Sequence, residues 1–285
     1  MAAAFGLASA LSVVVLGDES GYLANLDQQM KIAAMEGMWD TEKAPASFNL
    51  IGFPDQENKV TKGAIKIPYV LGIIATRSFN EPVLGINELV GQAKIKIRYG
   101  IEGYGALQRL MKDRNDTNAR VLLSLRSEDI GYALLLKKFT DDVVNATPEQ
   151  IELAAWSTVP NVPVLFWSFR LMVGCGFFFI LLFTTAAIVS VRHKFESRFF
   201  LWMAFLSLPL PWLAAELGWV VAEVGRQPWV IQGILPTFLG TSSLTTTALY
   251  ISIAGFVLLY SLLAIVEIFL MVKYIKLGPE YVREN

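Results

Sequence analysis

Histidine and cysteine are almost missing from this chain: His193 and Cys175 are the only ones in 285 residues. A single cysteine excludes an internal disulfide framework and any cysteine-rich metal site. A single histidine removes the usual ligand of haem and transition metals, so any such centre must draw on other donors. Charge is scarce as well. Only 17% of residues are Asp, Glu, Lys or Arg, and they balance to a net charge of -1, which excludes the basic footprint of a nucleic-acid-binding protein. Apolar residues fill the space, at 54% with a mean hydropathy of +0.48. That is too apolar for an ordinary soluble domain, and the expected surroundings are a lipid bilayer, with no nucleic acid as partner.

The apolar residues are concentrated. Three windows, residues 164–191, 199–224 and 246–272, are long enough to cross a hydrocarbon core, which takes about 20 residues as a helix. A fourth, residues 1–16, spans only as the C-terminal part of a transmembrane helix that continues upstream. Ala8-Ser9-Ala10 resembles a signal-peptide cleavage site, but no Lys or Arg precedes it, which favours the partial helix. Residues 17–163 hold most of the charges and read as short helices joined by Gly, Pro and Asn turns. The fold expected is an all-α membrane protein: a helical transmembrane bundle of one partial and three full spans with a large extracytoplasmic loop subdomain.

Cytoplasmic loops favour Lys and Arg. The turn from Arg192 to Arg198 is basic and so is the C-terminus, with Lys273, Lys276 and Arg283, whereas the connection between the second and third full windows carries only Arg226. This places the Arg192 turn, His193 and the C-terminus inside, and residues 17–163 outside. Met172 and Glu223 are then expected at similar depth near the outer face.

Ionisable groups within spans are costly unless paired, and they tend to mark sites. Each full window has at least one: Arg170, Glu216 with Glu223, and Glu267. Glu216, Trp219 and Glu223 fall on one helical face. Two readings of Glu223 stand side by side, a bundle-interior carboxylate tied to Arg226 or Arg170, and a carboxylate that ligates a metal or relays a proton. Met172 has a similar pair of readings, as lipid-facing filler or as a thioether axial ligand of haem iron. Phe169, Met172, Gly176 and Phe179 share a face, and Gly176 would let a flat macrocycle approach the backbone. Glu267, near Lys273, reads as a structural interfacial residue.

Four stretches carry a resemblance. GDESGY at residues 17–22, KIAAME at 31–36, FRLMVGCGF at 169–177 and GWVVAEVGRQPW at 218–229 together resemble subunit I of the cytochrome bd-type quinol oxidases, in its C-terminal portion and with the long form of the quinol-binding loop. The resemblance implies that Met172 is the axial ligand of low-spin haem b, with Arg170 beside it reaching a propionate. It implies that Glu223 ligates high-spin haem b, that Arg226 belongs to the same cofactor-binding stretch, and that Trp219 lies between the two b haems. Lys31 and Glu36 match loop residues of quinol binding or oxidation. Being five apart, about 140 degrees around a helix, they cannot both face one quinol on an unbroken helix. Glu216 is a candidate for proton transfer or haem redox balance.

The activity so implied is that of a respiratory quinol:oxygen oxidoreductase in the bacterial cytoplasmic (inner) membrane. Quinol is oxidised outside, and electrons pass via the b haems to haem d, where molecular oxygen is reduced to water. The sequence departs from the pattern in lacking the histidine opposite Met172 and the proximal histidine of haem d. The expected partners are therefore the N-terminal half of the same subunit and a second membrane subunit, and this chain alone is expected to be inactive. The alternative from another class is a non-catalytic transporter or scaffold subunit with an external domain.

Overall fold

The computed structural model describes residues 1–192 and 197–277. His193 and Arg283, both used to read orientation, lie outside the described residues. The chain divides into two units, Met1–Gly240 and Thr241–Asn285.

The first unit opens with α1 (Ala2–Asp27). The helix therefore runs eleven residues past the expected border at Leu16, carrying GDESGY within it. Its acidic turn has a partner that local sequence does not show: Asp18 and Glu19 both pair with Arg77, whose guanidinium also lies 4.2 Å from the centre of the Tyr22 ring. A single residue, Gln28, separates α1 from α2 (Gln29–Glu36), which ends at Gly37 in the left-handed conformation that glycine adopts without steric cost.

The loop subdomain is not wholly helical, as the turn-rich pattern had suggested. Residues Phe48–Asp55 (β1) and Val60–Ile67 (β2) form an antiparallel hairpin. Asp55 closes its turn by accepting from the Asn58 backbone and side chain and from Lys62. After α3 (Val70–Thr76) comes the spine of the subdomain, α4 (Ile86–Lys112), 27 residues and so about 40 Å long. It buries Ile86, Leu89, Val90, Ala93 and Ile97, an apolar stripe at the three- and four-residue spacing of one helix face. Helices α5 (Thr117–Arg126), α6 (Ile130–Leu134) and α7 (Pro148–Trp156) pack along it. Local chemistry sets their starts: Asp116 caps α5, and Thr147 with Gln150 forms a capping box on α7 with Pro148 at its first position.

The spans follow. Helix α8 (Val162–Val191) starts at an Asn161 cap, and its first turns bury Val162, Leu165, Phe166 and Ser168 under the subdomain. The second full window is not one helix. It breaks into α9 (Arg198–Leu206) and α10 (Leu210–Arg226) at Ser207-Leu208-Pro209, because Pro209 has no N–H to continue the ladder and Pro211 follows. Helix α10 packs on α8 and on α2, and α8 packs on α1. A short hairpin, β3 (Trp229–Ile231) with β4 (Leu235–Pro236), then buries Trp229 edge-on against Tyr132 at 5.1 Å, so the end of the GRQPW motif fastens the unit and also lines a small polar cavity.

The second unit contains α11 (Thr246–Leu277), a 32-residue apolar helix with no residue buried inside the chain. Glu267 is exposed on it, and Phe256 stacks on Tyr260 at 6.2 Å. Among the described residues, four helical segments are long and apolar enough to cross a membrane: α1, α8, the broken α9–α10 pair and α11.

Candidate functional site

Met172 borders an apolar cavity of about 940 Å³, toward the upper end of the ~300–1,000 Å³ usual for ligand sites. Gly176 and Phe179, two more members of the expected face, line it with Met172; Phe169 does not and packs instead toward the subdomain core. The opposite wall comes from both sides of the α9–α10 break, including Ser207, Pro211 and Gly218. The helix break thus widens the space that an unbroken helix would close. Gly218 lets α10 come close, since a Cβ there would stand 3.1 Å from Met172 Sδ and press on the thioether. The lining is nearly all apolar, with a thioether and small residues at its flanks, which suits a flat apolar group with a soft-ligated metal.

Glu223 does not line that cavity, and its level is different. Met172 faces Gly218, five residues before Glu223, an offset of about 7.5 Å along the helix axis. Of the two arginines open to Glu223, Arg226 is the partner, one turn away. The ion pair engages Oε2 of Glu223, and Arg226 Nε is buried without a hydrogen bond. Glu216 and Trp219 share the Glu223 face and point away from the cavity; Trp219 is 62% exposed. In that row Glu216 and Trp219 are exposed, while Glu223 is half-buried and paired with Arg226.

Lys31 and Glu36 separate, as their spacing on an unbroken α2 requires. Lys31 lies across Gly225 of α10, where any Cβ would come within 2.8 Å of its Cγ, and beside the Glu223–Arg226 pair. Burial pushes its ammonium below the usual lysine range, Arg226 adds to this, and Glu223 opposes it. Lys31 and Gln28 border a polar cavity of about 130 Å³ with Gln92, Lys96 and Gln227. Gln28 Oε1 is buried there without a partner, an acceptor that sequence reading missed. Its only signal is its place between two helices.

Glu36 is 2% exposed and faces the other way, onto α8. Its carboxylate accepts from Arg170 at 3.1 Å and from the Asn49 backbone N–H at 3.1 Å. The guanidinium of Arg170 also donates to the carbonyls of Met35, Phe166 and Asn49, and it stacks 3.4 Å from the centre of the Phe166 ring. The expected reach of Arg170 to a propionate is therefore replaced by contacts within the protein that fasten α2 and β1 to α8, two residues before Met172. Nε of Arg170 is buried without a hydrogen bond.

Burial raises the Glu36 carboxyl from 4.5 to about 7, with Arg170 and the Asn49 hydrogen bond pulling it back only in part. A carboxyl raised in the folded state binds more protons there than when unfolded, so the contribution of this group to stability is fully present below pH 4.5 and is lost as pH rises through 7. The displacement corresponds to roughly 3 kcal/mol. The thermal midpoint of the protein in detergent should fall between pH 5 and pH 8, and Glu36→Gln should flatten that slope. An unchanged slope in the variant would assign it to other groups.

Four apolar helical spans, with a mixed subdomain inserted between the first two, define a polytopic membrane protein. Within that class the chain belongs to the cytochrome bd terminal oxidase subunit I family, whose profile matches residues 1–279. It is 40% identical over 276 residues to the cytochrome bd-II ubiquinol oxidase subunit 1 of Escherichia coli (strain K12), covering 96% of this chain and 54% of that protein. It is 28% identical over 278 residues to the cytochrome bd ubiquinol oxidase subunit 1 of Bacillus subtilis (strain 168), covering 97% and 47%. The fold matches the bd oxidase structure from Geobacillus thermodenitrificans with a TM-score of 0.55 at 22% identity, over 96% of this chain and 48% of that one. The chain therefore spans about half the length of these relatives.

Proposed function

We propose that this chain is the haem-bearing C-terminal part of a respiratory quinol oxidase subunit, working only together with an N-terminal part and a second membrane subunit. The overall reaction would take two electrons and two protons from each quinol on the outer side and reduce molecular oxygen to water. The observation that carries this reading is the Met172 thioether at the wall of a 940 Å³ apolar cavity flanked by Gly176.

Met172 would hold low-spin haem b and Glu223 high-spin haem b, and haem supplies one-electron redox chemistry when bound. The cavity fits that group on the Met172 side. With His193 the single histidine of this chain, the second ligand of the low-spin haem and the site of haem d would come from the N-terminal part. Glu223 is presented to that part from an open face, with Arg226 holding its orientation and Trp219 one turn earlier on the same face.

Quinol handling falls to the loop. Lys31 and Gln28 offer a donor and an acceptor to a quinol headgroup in the polar cavity. Glu36, near 7 and buried between Arg170 and Asn49, is tuned to take and return a proton at neutral pH. The Glu216 carboxylate is placed to move a proton beside the haem-facing row.

The test is the assembled oxidase purified with this chain. Reduced-minus-oxidised spectra should show b-type bands, and Lys31→Ala should raise the KM for a soluble quinol about tenfold, the loss of one charge-assisted hydrogen bond. A featureless spectrum from a correctly folded complex would reject the reading and leave a scaffold role.

A further inference from the structure

Two buried polar atoms near Glu36 have no protein partner. Asn49 and Trp39 are each 5% exposed, and neither Asn49 Oδ1 nor Trp39 Nε1 makes a hydrogen bond among the described residues. Buried polar atoms in folded proteins are satisfied, by water where protein does not reach them. Both residues line the same cavity, about 370 Å³, with Gly37, Asp40, Glu42 and Ala64 among its walls. That volume takes several waters at ~30 Å³ each. One orphan atom accepts and the other donates, so water beside them can accept from Trp39 Nε1 and donate to Asn49 Oδ1.

The cavity adjoins Glu36 through Asn49. The Asn49 backbone donates to Glu36 Oε2, and its Nδ2 donates to the Glu36 carbonyl at 2.7 Å. On the opposite side the carboxylate meets Arg170 of α8. The other charge acting on it is Glu42, which is itself paired at 2.9 Å with Lys66 of β2. Exposed Asp40 and partly exposed Glu42 stand where the cavity meets solvent, with Lys59 across from them.

We infer that this cavity is the hydrated proton outlet of Glu36, in which Asn49 and Trp39 hold the water chain and Asp40 and Glu42 receive the proton at its solvent end. The inference rests on the reading of Glu36 as a proton acceptor in quinol oxidation. The step moves no electrons. The O–H bond of the Glu36 carboxyl breaks, the proton passes through water to an Asp40 or Glu42 carboxylate and on to solvent, and Glu36 is left as a carboxylate paired with Arg170. Asn49 and Trp39 are positioning residues, since they act through water.

The outlet can be blocked without touching Glu36. Ala64→Trp fills the cavity from β2, and Trp39→Phe removes the donor while keeping an aromatic ring. In the assembled oxidase at pH 6, where most Glu36 is protonated, its carboxyl infrared band is identified by its absence in Glu36→Gln. Deuteration of that band after transfer into heavy water is expected to slow several-fold in both blocked variants. The kcat for quinol should fall about tenfold with KM unchanged, less than the ~10²–10⁴-fold that a whole acid–base step contributes. Deuteration at the wild-type rate in both variants overturns the outlet. If Glu36→Gln still abolishes quinol oxidation in that case, the quinol reading stands without it. If Glu36→Gln turns over like wild type, the role of Glu36 falls and the outlet with it.

Discussion

Replacing Met172 by leucine should remove the low-spin b-type signature from the assembled oxidase while leaving the complex folded. Leucine nearly matches methionine in volume, and such swaps cost less than about 1.5 kcal/mol in a packed interior. The wall of the 940 Å³ cavity therefore stays in place and only the sulfur is lost. Thioether ligation raises the reduction potential of haem iron, so any haem retained in the variant should titrate at a lower potential. The measurement is a reduced-minus-oxidised spectrum with a redox titration, alongside a gel-filtration check of assembly. An unaltered spectrum and potential would make Met172 ordinary cavity lining and remove the main support for haem at this position.

Arg170→Leu should be strongly destabilising to the first unit. It leaves Glu36, 2% exposed, without its counter-charge, and it takes the donor from the Met35, Phe166 and Asn49 carbonyls. Removing one member of a buried ion pair costs about 3–5 kcal/mol. The sign of its pH dependence follows from Glu36. Below its value of about 7 the carboxyl becomes neutral and the loss shrinks, so the destabilisation should be larger at pH 8 than at pH 5. The second substitution Glu36→Gln should recover part of the loss, because no charge is then left buried and unpaired. Thermal unfolding of the four proteins at both pH values gives the coupling. Additive effects, with no recovery in the double variant, would show that Arg170 acts through its carbonyl contacts alone.

These two residues show where sequence reading succeeds and where it stops. The Met172 face was legible because helical period alone sets which side chains share a side, and the structure puts Met172, Gly176 and Phe179 on one cavity wall. The separation of Lys31 from Glu36 was legible for the same reason. The burial of the first turns of α8 was not, since the apolar residues there look the same in sequence as residues facing lipid. The break at Pro209 was written in the chain but passed over, because a hydropathy window averages across a proline. The hairpin of β1 and β2 was also missed, its alternation blurred by an irregular register near Ile51.

By itself the sequence determined the spans and the residues that share each helix face, which follow from hydrophobic length and local period, while its motifs carried the family resemblance. Only the tertiary structure decided which charges meet. Arg170 takes Glu36, 134 residues away, and leaves Glu223 to Arg226. Lys31 settles against Gly225, and Asn49 and Trp39, each with a buried polar atom left unpaired among the described residues, line one cavity. Pairing of buried charge depends on which elements exclude water together, and chain-distant packing creates that condition.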